Sequence, residues 1–362
     1  MKPNSISSKY NISKPIVISG PCSAETEEQM MATAKSLAAT KVVHILRAGI
    51  WKPRTRPGQF EGAGADGLKW LVATKKETGL PITTEVANAA HVELCLKENV
   101  DILWIGARTT VNPFSVQEIA DALRGVDIPV MIKNPVNPDI ELWQGAIERI
   151  SRAGIKTISA IHRGFSAFEK LPFRNAPMWD IVIDLKVRMP ELEIICDPSH
   201  ISGNRELISL VAQKALDLDM EGVMIESHIN PDEAWSDVKQ QVTPDELARI
   251  IKGLVVRSES VNNKSFKDTL EQLRERIDEI DNEIMQKLAS RMKVSEKIGK
   301  YKRENNVTIL QLNRWDEISS SRLTMAKAMG LNDEFTQNLL SLIHQESIQV
   351  QNKIMNEKDT RV

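Results

Sequence analysis

The first 255 or so residues alternate short apolar, β-branched runs with longer helix-forming stretches. The apolar runs lie at 16–20, 42–49, 81–86, 102–107, 129–134, 157–162, 193–197 and 222–227. Helix-forming stretches such as 27–40, 115–125 and 141–154 separate them. A repeat of roughly 30 residues for each strand and its helix is typical of parallel sheets, in which the helix returns the chain to the start of the next strand.

Eight such units predict an α/β fold, a (β/α)8 TIM barrel, whose chemistry lies at the carboxyl ends of the strands. The alternative is an open, doubly wound sheet. Sheets of that kind carry a Gly-x-Gly-x-x-Gly motif after the first strand when they bind a dinucleotide. The motif is missing at this place in the sequence, so the barrel is favoured.

A different pattern begins near residue 270. Apolar residues spaced three and four apart run from Leu270 to Leu288, and the pattern continues without a helix breaker towards Tyr301. The spacing predicts an amphipathic helix on the order of 50 Å long, which is too long for one short neighbour to cover. Two further helices are expected at about 313–329 and 333–356, with Gly330 ending the first of these. We therefore predict an all-α domain with a long first helix, in an intertwined homodimer.

Proline and glycine mark the boundary between the two parts. All 16 prolines lie at or before Pro244, and 15 of the 17 glycines lie at or before Gly253. Between the parts, 258–265 is polar and aperiodic, which is typical of a linker. The predicted organisation is a barrel domain over 1–257, a linker over 258–266 and a helical domain over 267–362.

Charge and cysteine content exclude several classes of protein. The 47 Lys and Arg residues nearly balance the 49 Asp and Glu residues, so no overall basic charge indicates a nucleic-acid binder. The three cysteines show no paired spacing of the kind found in disulfide frameworks. No apolar run is long enough for a signal peptide or a membrane span. We expect a cytoplasmic protein that acts on small molecules and contacts neither nucleic acid nor membrane.

Positively charged residues lie at the ends of four predicted strands. Arg47, Arg108, Lys133 and Arg163 end or follow the second, fourth, fifth and sixth strands, and Lys52 lies shortly after Arg47. Because the carboxyl ends of parallel strands meet at one rim, these charges are expected to lie together. Unpaired cations concentrated at one rim are costly unless an anion binds there. The sequence therefore predicts a substrate rich in phosphate or carboxylate.

Metal-binding residue types lie at the ends of the first, seventh and eighth strands. Cys22 follows the first strand, His200 follows the seventh, and Glu226 and Asp237 end or follow the eighth. Closure of the barrel makes these strands neighbours, so the four residues are expected to bind one metal ion. A thiolate, an imidazole and two carboxylates suit a borderline divalent ion. Mn²⁺ is the first candidate, with Fe²⁺, Co²⁺ and Zn²⁺ as alternatives.

Other cysteines and histidines have simpler interpretations. Cys95 and Cys196 lie inside helix-like and strand-like stretches and are interpreted as buried apolar side chains. Three histidines are interpreted as hydrogen-bonded scaffold, and one is compatible with either scaffold or ligand. The scaffold residues are His44, His91 and His344, and the undecided residue is His228.

Several short strings carry a specific resemblance over the whole barrel. They are KPRT (52–55), GARTT (106–110), IHRG (161–164), DPSH (197–200), ESH (226–228) and SD (236–237). With them the sequence resembles the type I 3-deoxy-D-arabino-heptulosonate 7-phosphate (DAHP) synthases. The resemblance implies that Cys22, His200, Glu226 and Asp237 hold a divalent metal. It also implies two groups of substrate-binding residues: Arg47, Lys52, Arg108, Lys133 and Arg163 for phosphoenolpyruvate, and Arg54 and Thr55 for erythrose 4-phosphate.

The reaction implied by this resemblance is an aldol-type condensation of phosphoenolpyruvate with erythrose 4-phosphate, with loss of phosphate. The metal would polarise the aldehyde, and Lys52 is the candidate proton donor to the forming alkoxide. A metal-bound water is the alternative donor. The rival within this architecture is 3-deoxy-octulosonate 8-phosphate synthase, which resembles this barrel but has Lys-Ala-Asn-Arg where KPRT stands here.

The second part resembles the all-helical chorismate mutases over about 270 to 355. The resemblance lies in the order and spacing of six polar residues, Arg274, Arg291, Lys302, Arg314, Ser347 and Gln351. It implies that Arg274 reaches the partner's pocket and binds the chorismate carboxylates together with Arg291. It further implies that Lys302 and Gln351 donate hydrogen bonds to the ether oxygen. The implied rearrangement to prephenate needs a compact substrate conformer and positive charge at the breaking C–O bond, without a proton shuttle.

Two positions depart from the chorismate mutase pattern. The family has Asp where Gln311 stands and Glu where Trp315 stands, both near the substrate hydroxyl. A Gln accepts a hydrogen bond, whereas an indole is a donor only. A second hypothesis is therefore that the helical domain is mainly an allosteric sensor of chorismate or prephenate. In either case we expect prephenate to regulate the barrel by closing its mouth.

Overall fold

The structure is a computed structural model that describes residues 4–52, 58, 60–168, 171–257, 264–310 and 312–356. The chain divides into two compact units, residues 1–259 and 260–362. Most of the predicted linker, 258–263, lies outside the described residues. In the part of the chain that is described, no helix is long and apolar enough to span a bilayer.

The first unit is a closed parallel barrel, which confirms the predicted fold. Its eight described strands are hydrogen-bonded in sequence order, and β8 closes the sheet by pairing with β1 from Ile16↔Gly222 to Gly20↔Glu226. The strands are β1 (Ile16–Gly20), β2 (Ile45–Arg47), β3 (Ile82–Val86), β4 (Ile102–Ile105), β5 (Val130–Lys133), β6 (Ile158–His162), β7 (Glu193–Cys196) and β8 (Gly222–Glu226). Their burial on both faces matches their apolar, β-branched sequences.

The first unit also contains helices, most of which connect successive strands on the outside of the barrel. Those in the described part of the first unit are α1 (Ile6–Tyr10), α2 (Glu27–Ala39), α3 (Gly64–Thr78), α4 (Ala89–Lys97), α5 (Ala107–Thr110), α6 (Pro113–Ala122), α7 (Ile140–Arg152), α8 (Trp179–Arg188), α9 (Pro198–Ser202), α10 (Ile208–Asp217) and α11 (Pro244–Gly253). Side-chain caps fix several of their starts. In α9, the Asp197 side chain accepts from the backbone N–H of His200, so the turn after β7 is set by the cap.

The amino-terminal helix α1 inserts into the base of the barrel. Ile6 is fully buried against inward-facing side chains such as Trp104 and Met131. The buried carboxylate of Glu193 accepts from the backbone N–H groups of Ile6 at 3.0 Å and Ser7 at 3.1 Å. This helix therefore closes the end of the barrel opposite the carboxyl ends of the strands.

The second unit contains three described helices: α12 (Lys264–Glu304), α13 (Leu312–Ala328) and α14 (Asp333–Asn356). The order and lengths confirm the predicted all-α region. At a rise of 1.5 Å per residue α12 is about 60 Å long. The apolar residues along α12 are largely exposed, including Ile277, Ile284 and Ile298. Gly330 follows α13 with a left-handed φ of 81°, as expected of a helix stop.

Candidate active site

The rim at the carboxyl ends of the strands gathers most of the predicted barrel residues. Arg47, Lys133 and Glu226 are the last residues of β2, β5 and β8, while Arg163 directly follows β6 and His200 lies in α9 after β7. Parallel strands of similar length place these ends side by side. Arg54 and Thr55, predicted to face the sugar phosphate, lie outside the described residues.

Three of the predicted metal ligands form a compact cluster. Ligand atoms of Cys22, Glu226 and Asp237 all lie within 4.8 Å of one another. The Cys22 thiol donates to Asp237 Oδ2 at 3.0 Å, and Lys52 Nζ donates to Cys22 Sγ at 2.8 Å. The fourth predicted ligand, His200, lies beside the cluster, with Nε2 at 3.8 Å from Glu226 Oε1.

The charge state of the cluster fits a divalent metal. Burial raises the pKa of the Cys22 thiol, and the Glu226 carboxylate raises it further, so the sulfur needs a bound cation to become a thiolate. Burial would raise the pKa of both carboxyls. In Glu226, protonated His200 and the charge of Arg47 reverse this effect and lower the pKa. In Asp237, protonated His200 and the charges of Arg174 and Lys52 do so. Arg47, Arg174 and Lys52 keep this effect when the imidazole is neutral. Two ionised carboxylates, a thiol and an imidazole form a donor set that a borderline divalent ion prefers.

A buried carboxylate orients His200. Asp197 is fully buried and lies 3.0 Å from His200 Nδ1 through Oδ1. A proton on Nδ1 satisfies this contact and leaves Nε2 with a free lone pair towards Glu226. Burial lowers the pKa of His200, which favours the neutral imidazole that binds metals.

A cavity of about 240 Å³ opens beside the cluster. Its wall includes His200 and Asp237, so the cavity reaches the candidate metal ligands. Five of its lining residues carry positive charge: Lys52, Arg108, Lys133, Arg163 and Arg174. A space of this size bordered by cations suits small, multiply charged anions.

The predicted cations differ in how they are paired. The expectation that the rim cations are unpaired is wrong for two of them. Arg47 Nη1 lies 3.1 Å from Glu226 Oε1, and Lys133 Nζ lies 2.8 Å from Asp197 Oδ2, in two buried ion pairs. These carboxylates compensate the cost of burying the two charges. Arg47 is not among the cavity-lining residues, whereas Lys133 is.

Arg108 and Arg163 make no ion pair with any residue in the described ranges. Arg163 is buried, and its Nη1 donates to Asn175 Oδ1 at 2.8 Å and to the Gly164 carbonyl at 3.3 Å. Burial lowers the pKa of Arg163 to about 10, despite the opposing charge of Asp197. A desolvated guanidinium without a carboxylate partner is a strong site for a substrate anion.

Three polar residues that line the cavity have no role predicted from the sequence. Arg174 and Asn175 lie in the long segment between β6 and α8, and Glu85 is the next-to-last residue of β3, without a predicted role. Glu85 Oε2 accepts from Trp104 Nε1 at 2.9 Å. No apolar periodicity marks 163–178, so no signal in the sequence placed Arg174 and Asn175 at the rim.

Three of the histidines outside the predicted metal site, His44, His91 and His228, lie against identifiable groups. Nδ1 of His44 accepts from the backbone of Val17 at 3.0 Å, and His91 stacks on Trp51 with 3.9 Å between ring centres. His228 is buried, with Nε2 at 3.4 Å from Glu25 Oε2. These contacts support scaffold roles, including for the residue that sequence reasoning left undecided.

The second unit brings some of its predicted residues together. Arg291 Nη1 donates to Ser347 Oγ, and Gln351 follows one turn later on α14. Gln351 is buried, and its Oε1 has no hydrogen-bond partner among the described residues. Lys302 Nζ donates to the Ile309 carbonyl at 2.6 Å. Gln311 and the side chain of Arg314 lie outside the described residues.

Arg274 stands apart from this group. Its side chain is 64% exposed and lies 3.7 Å from Glu271, and it precedes Arg291 by 17 positions on α12. That separation corresponds to about 26 Å along the helix axis. Within one chain, Arg274 therefore cannot share a small-molecule pocket with Arg291. Trp315, one of the positions that depart from the chorismate mutase pattern, stacks on His344 with 3.9 Å between ring centres.

Comparison with known proteins identifies both units. The model of the DAHP synthetase I family matches residues 10–262, and that of chorismate mutase type II matches 273–352. The phospho-2-dehydro-3-deoxyheptonate aldolase of Thermotoga maritima is 33% identical over 226 residues, which cover 62% of this chain and 64% of the relative. The chain thus spans slightly less than two thirds of that relative's length.

Other relatives extend the comparison to a neighbouring family and to solved structures. The 2-dehydro-3-deoxyphosphooctonate aldolase of Vesicomyosocius okutanii is 28% identical over 259 residues, covering 66% of this chain and 88% of the relative. The crystal structure of the Thermotoga maritima phospho-2-dehydro-3-deoxyheptonate aldolase has a TM-score of 0.60 at 30% identity, covering 66% of this chain and 67% of that one. The family match spans more than half of the chain. The chain therefore belongs to the DAHP synthetase I family and carries a chorismate mutase type II domain after its barrel.

Proposed function

We propose that the barrel condenses phosphoenolpyruvate with erythrose 4-phosphate and that water adds at carbon 2 of phosphoenolpyruvate, so that the products are DAHP and inorganic phosphate. One observation carries this proposal: the cluster of Cys22, Glu226 and Asp237 borders a cavity lined by five positively charged side chains. The two substrates bring two phosphates and one carboxylate, which match this excess of positive charge. A metal-type cluster beside an anion pocket supplies what a metal-assisted aldol reaction of a phosphorylated aldehyde needs.

Different side chains of the barrel site are proposed to bind the substrates, to hold the metal and to donate the proton. Arg163, Arg108 and Lys133 are proposed to hold the phosphate and carboxylate of phosphoenolpyruvate, with Arg47 supporting the pocket through its pair with Glu226. Cys22, His200, Glu226 and Asp237 would hold a divalent ion, for which Mn²⁺ is the first candidate. Such an ion supplies Lewis acidity towards the aldehyde oxygen. Lys52, whose Nζ reaches Cys22 Sγ and lines the cavity, is proposed to hold the proton that the developing alkoxide takes up.

Phosphate release tests the barrel proposal. The purified chain is stripped with a chelator, and phosphate is measured with phosphoenolpyruvate and erythrose 4-phosphate before and after adding Mn²⁺, Fe²⁺, Co²⁺ or Zn²⁺ separately. We expect loss of activity on stripping and recovery with at least one ion. Full activity in the stripped, metal-free chain would contradict the metal dependence.

Arabinose 5-phosphate is a second candidate substrate and is tested in the same assay, because several relatives at 24–28% identity are 2-dehydro-3-deoxyphosphooctonate aldolases. Arabinose 5-phosphate replaces erythrose 4-phosphate in a parallel reaction at equal concentration. KPRT at 52–55 favours the four-carbon sugar by resemblance. Faster phosphate release with arabinose 5-phosphate would assign the barrel to the octulosonate reaction instead.

For the second unit we propose rearrangement of chorismate to prephenate in a homodimer. Arg291, Ser347 and Gln351 supply donors on facing helices, and the unpartnered, buried Gln351 amide oxygen indicates a polar site still open to a ligand. Arg274 would enter from the second chain, because it lies too far along α12 to reach its own Arg291. The exposed apolar stripe of α12 would be covered by the same partner.

A regulatory role of the second unit is the alternative, and it is favoured by Trp315, whose indole cannot accept a hydrogen bond. Loss of chorismate absorbance distinguishes the two functions directly. Turnover of chorismate supports the mutase. Binding of prephenate without turnover, together with a prephenate-dependent change in phosphate release by the barrel, supports the sensor.

A further inference from the structure

Arg174 connects the two carboxylates of the candidate metal cluster. Its Nη1 donates to Asp237 Oδ1 at 2.7 Å and to Gln240 Oε1 at 2.7 Å. Gln240 is buried, and its Nε2 donates to Glu226 Oε2 at 2.8 Å. A continuous chain of hydrogen bonds therefore runs from Asp237 through Arg174 and Gln240 to Glu226, without involving Cys22.

The two oxygens of Asp237 have different neighbours. Arg174 occupies Oδ1, whereas Oδ2 faces Cys22 Sγ at 3.0 Å. A carboxylate whose first oxygen is held by a guanidinium presents the second as a single directed ligand. We propose that Arg174 is a positioning residue, which fixes Asp237 so that it binds the metal through Oδ2 alone and which thereby sets the metal affinity of the site.

The backbone around Arg174 is itself held in place. The N–H of Arg174 donates to the Ser202 carbonyl at 3.2 Å, at the end of α9. The Arg174 side chain packs directly against Gly203. A Cβ atom added to Gly203 would lie only 2.4 Å from the Cβ of Arg174, so this close contact depends on the glycine. The next residue, Asn175, donates through Nδ2 to the His200 carbonyl at 2.6 Å. Hydrogen bonds from Arg174 and Asn175 therefore connect this segment to α9, the short helix that carries His200.

Asp237 needs such support because of its own backbone. Its φ of 50° lies in the left-handed region, which residues other than glycine rarely adopt. Two ordered contacts, to Arg174 and to Cys22, keep its side chain directed into the cluster. Without Arg174, the carboxylate keeps its contact with Cys22 but loses the contact that holds Oδ1, so its two oxygens can exchange places by rotation about χ2.

This inference rests on the proposed metal site, and cobalt binding tests both separately. Co²⁺ is titrated into the metal-stripped, full-length chain against a chromophoric chelator, for the wild type, Arg174→Met and Arg205→Met. Arg205 is the matched control, because it donates to the backbone of the same loop at Gln241 and Val238 and to Asp232, but to no cluster carboxylate. We expect Arg174→Met to weaken Co²⁺ binding about 10- to 100-fold and Arg205→Met to leave it within about threefold of the wild type.

Each outcome has a definite meaning. A wild-type chain that binds no Co²⁺ overturns the metal site itself. If the wild type binds, equal affinities for the wild type and Arg174→Met overturn the role of Arg174 alone. Equal losses in Arg174→Met and Arg205→Met also overturn it, because they assign the effect to loop order instead of carboxylate orientation.

The absorption spectrum gives a readout that a merely structural role would not change. In the Arg174→Met chain at saturating Co²⁺, the thiolate-to-cobalt band of Cys22 is expected to persist, while the weaker d–d bands change because Asp237 binds differently. Gln240→Leu is the second variant. Because Gln240 and Arg174 act through one chain of contacts, the double variant is expected to lose less affinity than the product of the two single losses. Identical d–d spectra, or losses that multiply fully, would contradict the proposal.

Discussion

Lys133 Nζ lies 2.8 Å from Asp197 Oδ2, and both side chains are buried. The same carboxylate accepts from His200, so Asp197 links a proposed anion-binding cation to a proposed metal ligand. Burial would raise the pKa of Asp197, but His200 and Lys133 hold it well below its usual range. Asp197 is thus an ionised group on which both halves of the barrel site depend.

Replacing Asp197 with Asn is expected to destabilise the barrel and weaken metal binding. The change leaves Lys133 buried without a counter-charge, at a cost of about 3 kcal/mol or more in the free energy of unfolding. Urea unfolding and Co²⁺ titration measure the two effects. Asp217→Asn is the control, because its pair with Arg257 lies at the surface, where solvent screens the attraction. Equal stability of the two variants would contradict this assignment.

His162 is expected to make the stability of the barrel sensitive to acid. Burial and the charge of the neighbouring Arg163 together lower its pKa to about 3, against the opposing charge of Asp197. The unfolded chain therefore binds a proton near pH 6.5 that the folded chain does not, so stability falls as the pH drops below this value. The expected loss is about 2–3 kcal/mol between pH 6.5 and 4.5.

The variant His162→Phe tests this pH dependence. His162 packs among Trp143, Phe165 and Trp179, so a phenyl ring suits its surroundings. Urea midpoints are measured at pH 6.5 and 4.5 for the variant and the wild type, by tryptophan fluorescence. We expect the variant to lose less stability on acidification. Parallel losses in both proteins would show that His162 does not cause the effect.

Arg163→Met is expected to weaken binding of phosphoenolpyruvate. A hydrogen bond to a charged group contributes about 1.5–3 kcal/mol, which corresponds to a rise in KM of about 10- to 100-fold. Steady-state phosphate release at varied phosphoenolpyruvate gives KM. Arg124→Met, which removes an exposed pair with Asp121 on the outside of the barrel, is expected to leave KM unchanged. An unchanged KM in Arg163→Met would remove this residue from the anion site.

Arg291→Ala and Lys302→Ala are expected to abolish most chorismate turnover. Arg291 is proposed to bind the chorismate carboxylates, and Lys302 is proposed to stabilise the charge that develops as the C–O bond breaks. Loss of one such charged group costs about 100-fold or more in rate. Disappearance of chorismate absorbance is the measurement. Arg276→Ala, which removes a surface pair with Glu279, serves as the control. Turnover that survives both substitutions would place the mutase pocket elsewhere.

Ile284→Lys is expected to weaken the proposed homodimer. Ile284 is exposed on the apolar stripe of α12, and burial of an isoleucine is worth about 1.5–3 kcal/mol, or roughly tenfold or more in the dimer Kd. Sedimentation velocity over a range of concentrations measures the Kd. Glu283→Lys is the control and introduces the same side chain at an exposed polar position of the same helix. A monomeric wild type, or equal effects of both substitutions, would contradict the stripe as the interface.

The sequence predicted the elements best where they are periodic. The eight strands and the long α12 follow from regular apolar spacing, and the strand ends led directly to Cys22, Lys133 and Glu226. The pairing of charges did not follow, because Glu226 was interpreted as a ligand and not also as the partner of Arg47. Arg174 was missed because its contact with Asp237 joins two irregular loops 63 positions apart, which no local pattern reveals.

The insertion of α1 into the base of the barrel has a practical consequence for protein engineering. Deleting residues 4–10 would expose the apolar interior around Ile6. It would also remove the two backbone N–H groups that donate to Glu193, although the hydrogen bond from Ser159 Oγ at 2.8 Å would remain. A shortened chain of this kind is therefore expected to aggregate during expression. Affinity tags and fusion partners that need a deletion are better attached at the carboxyl terminus.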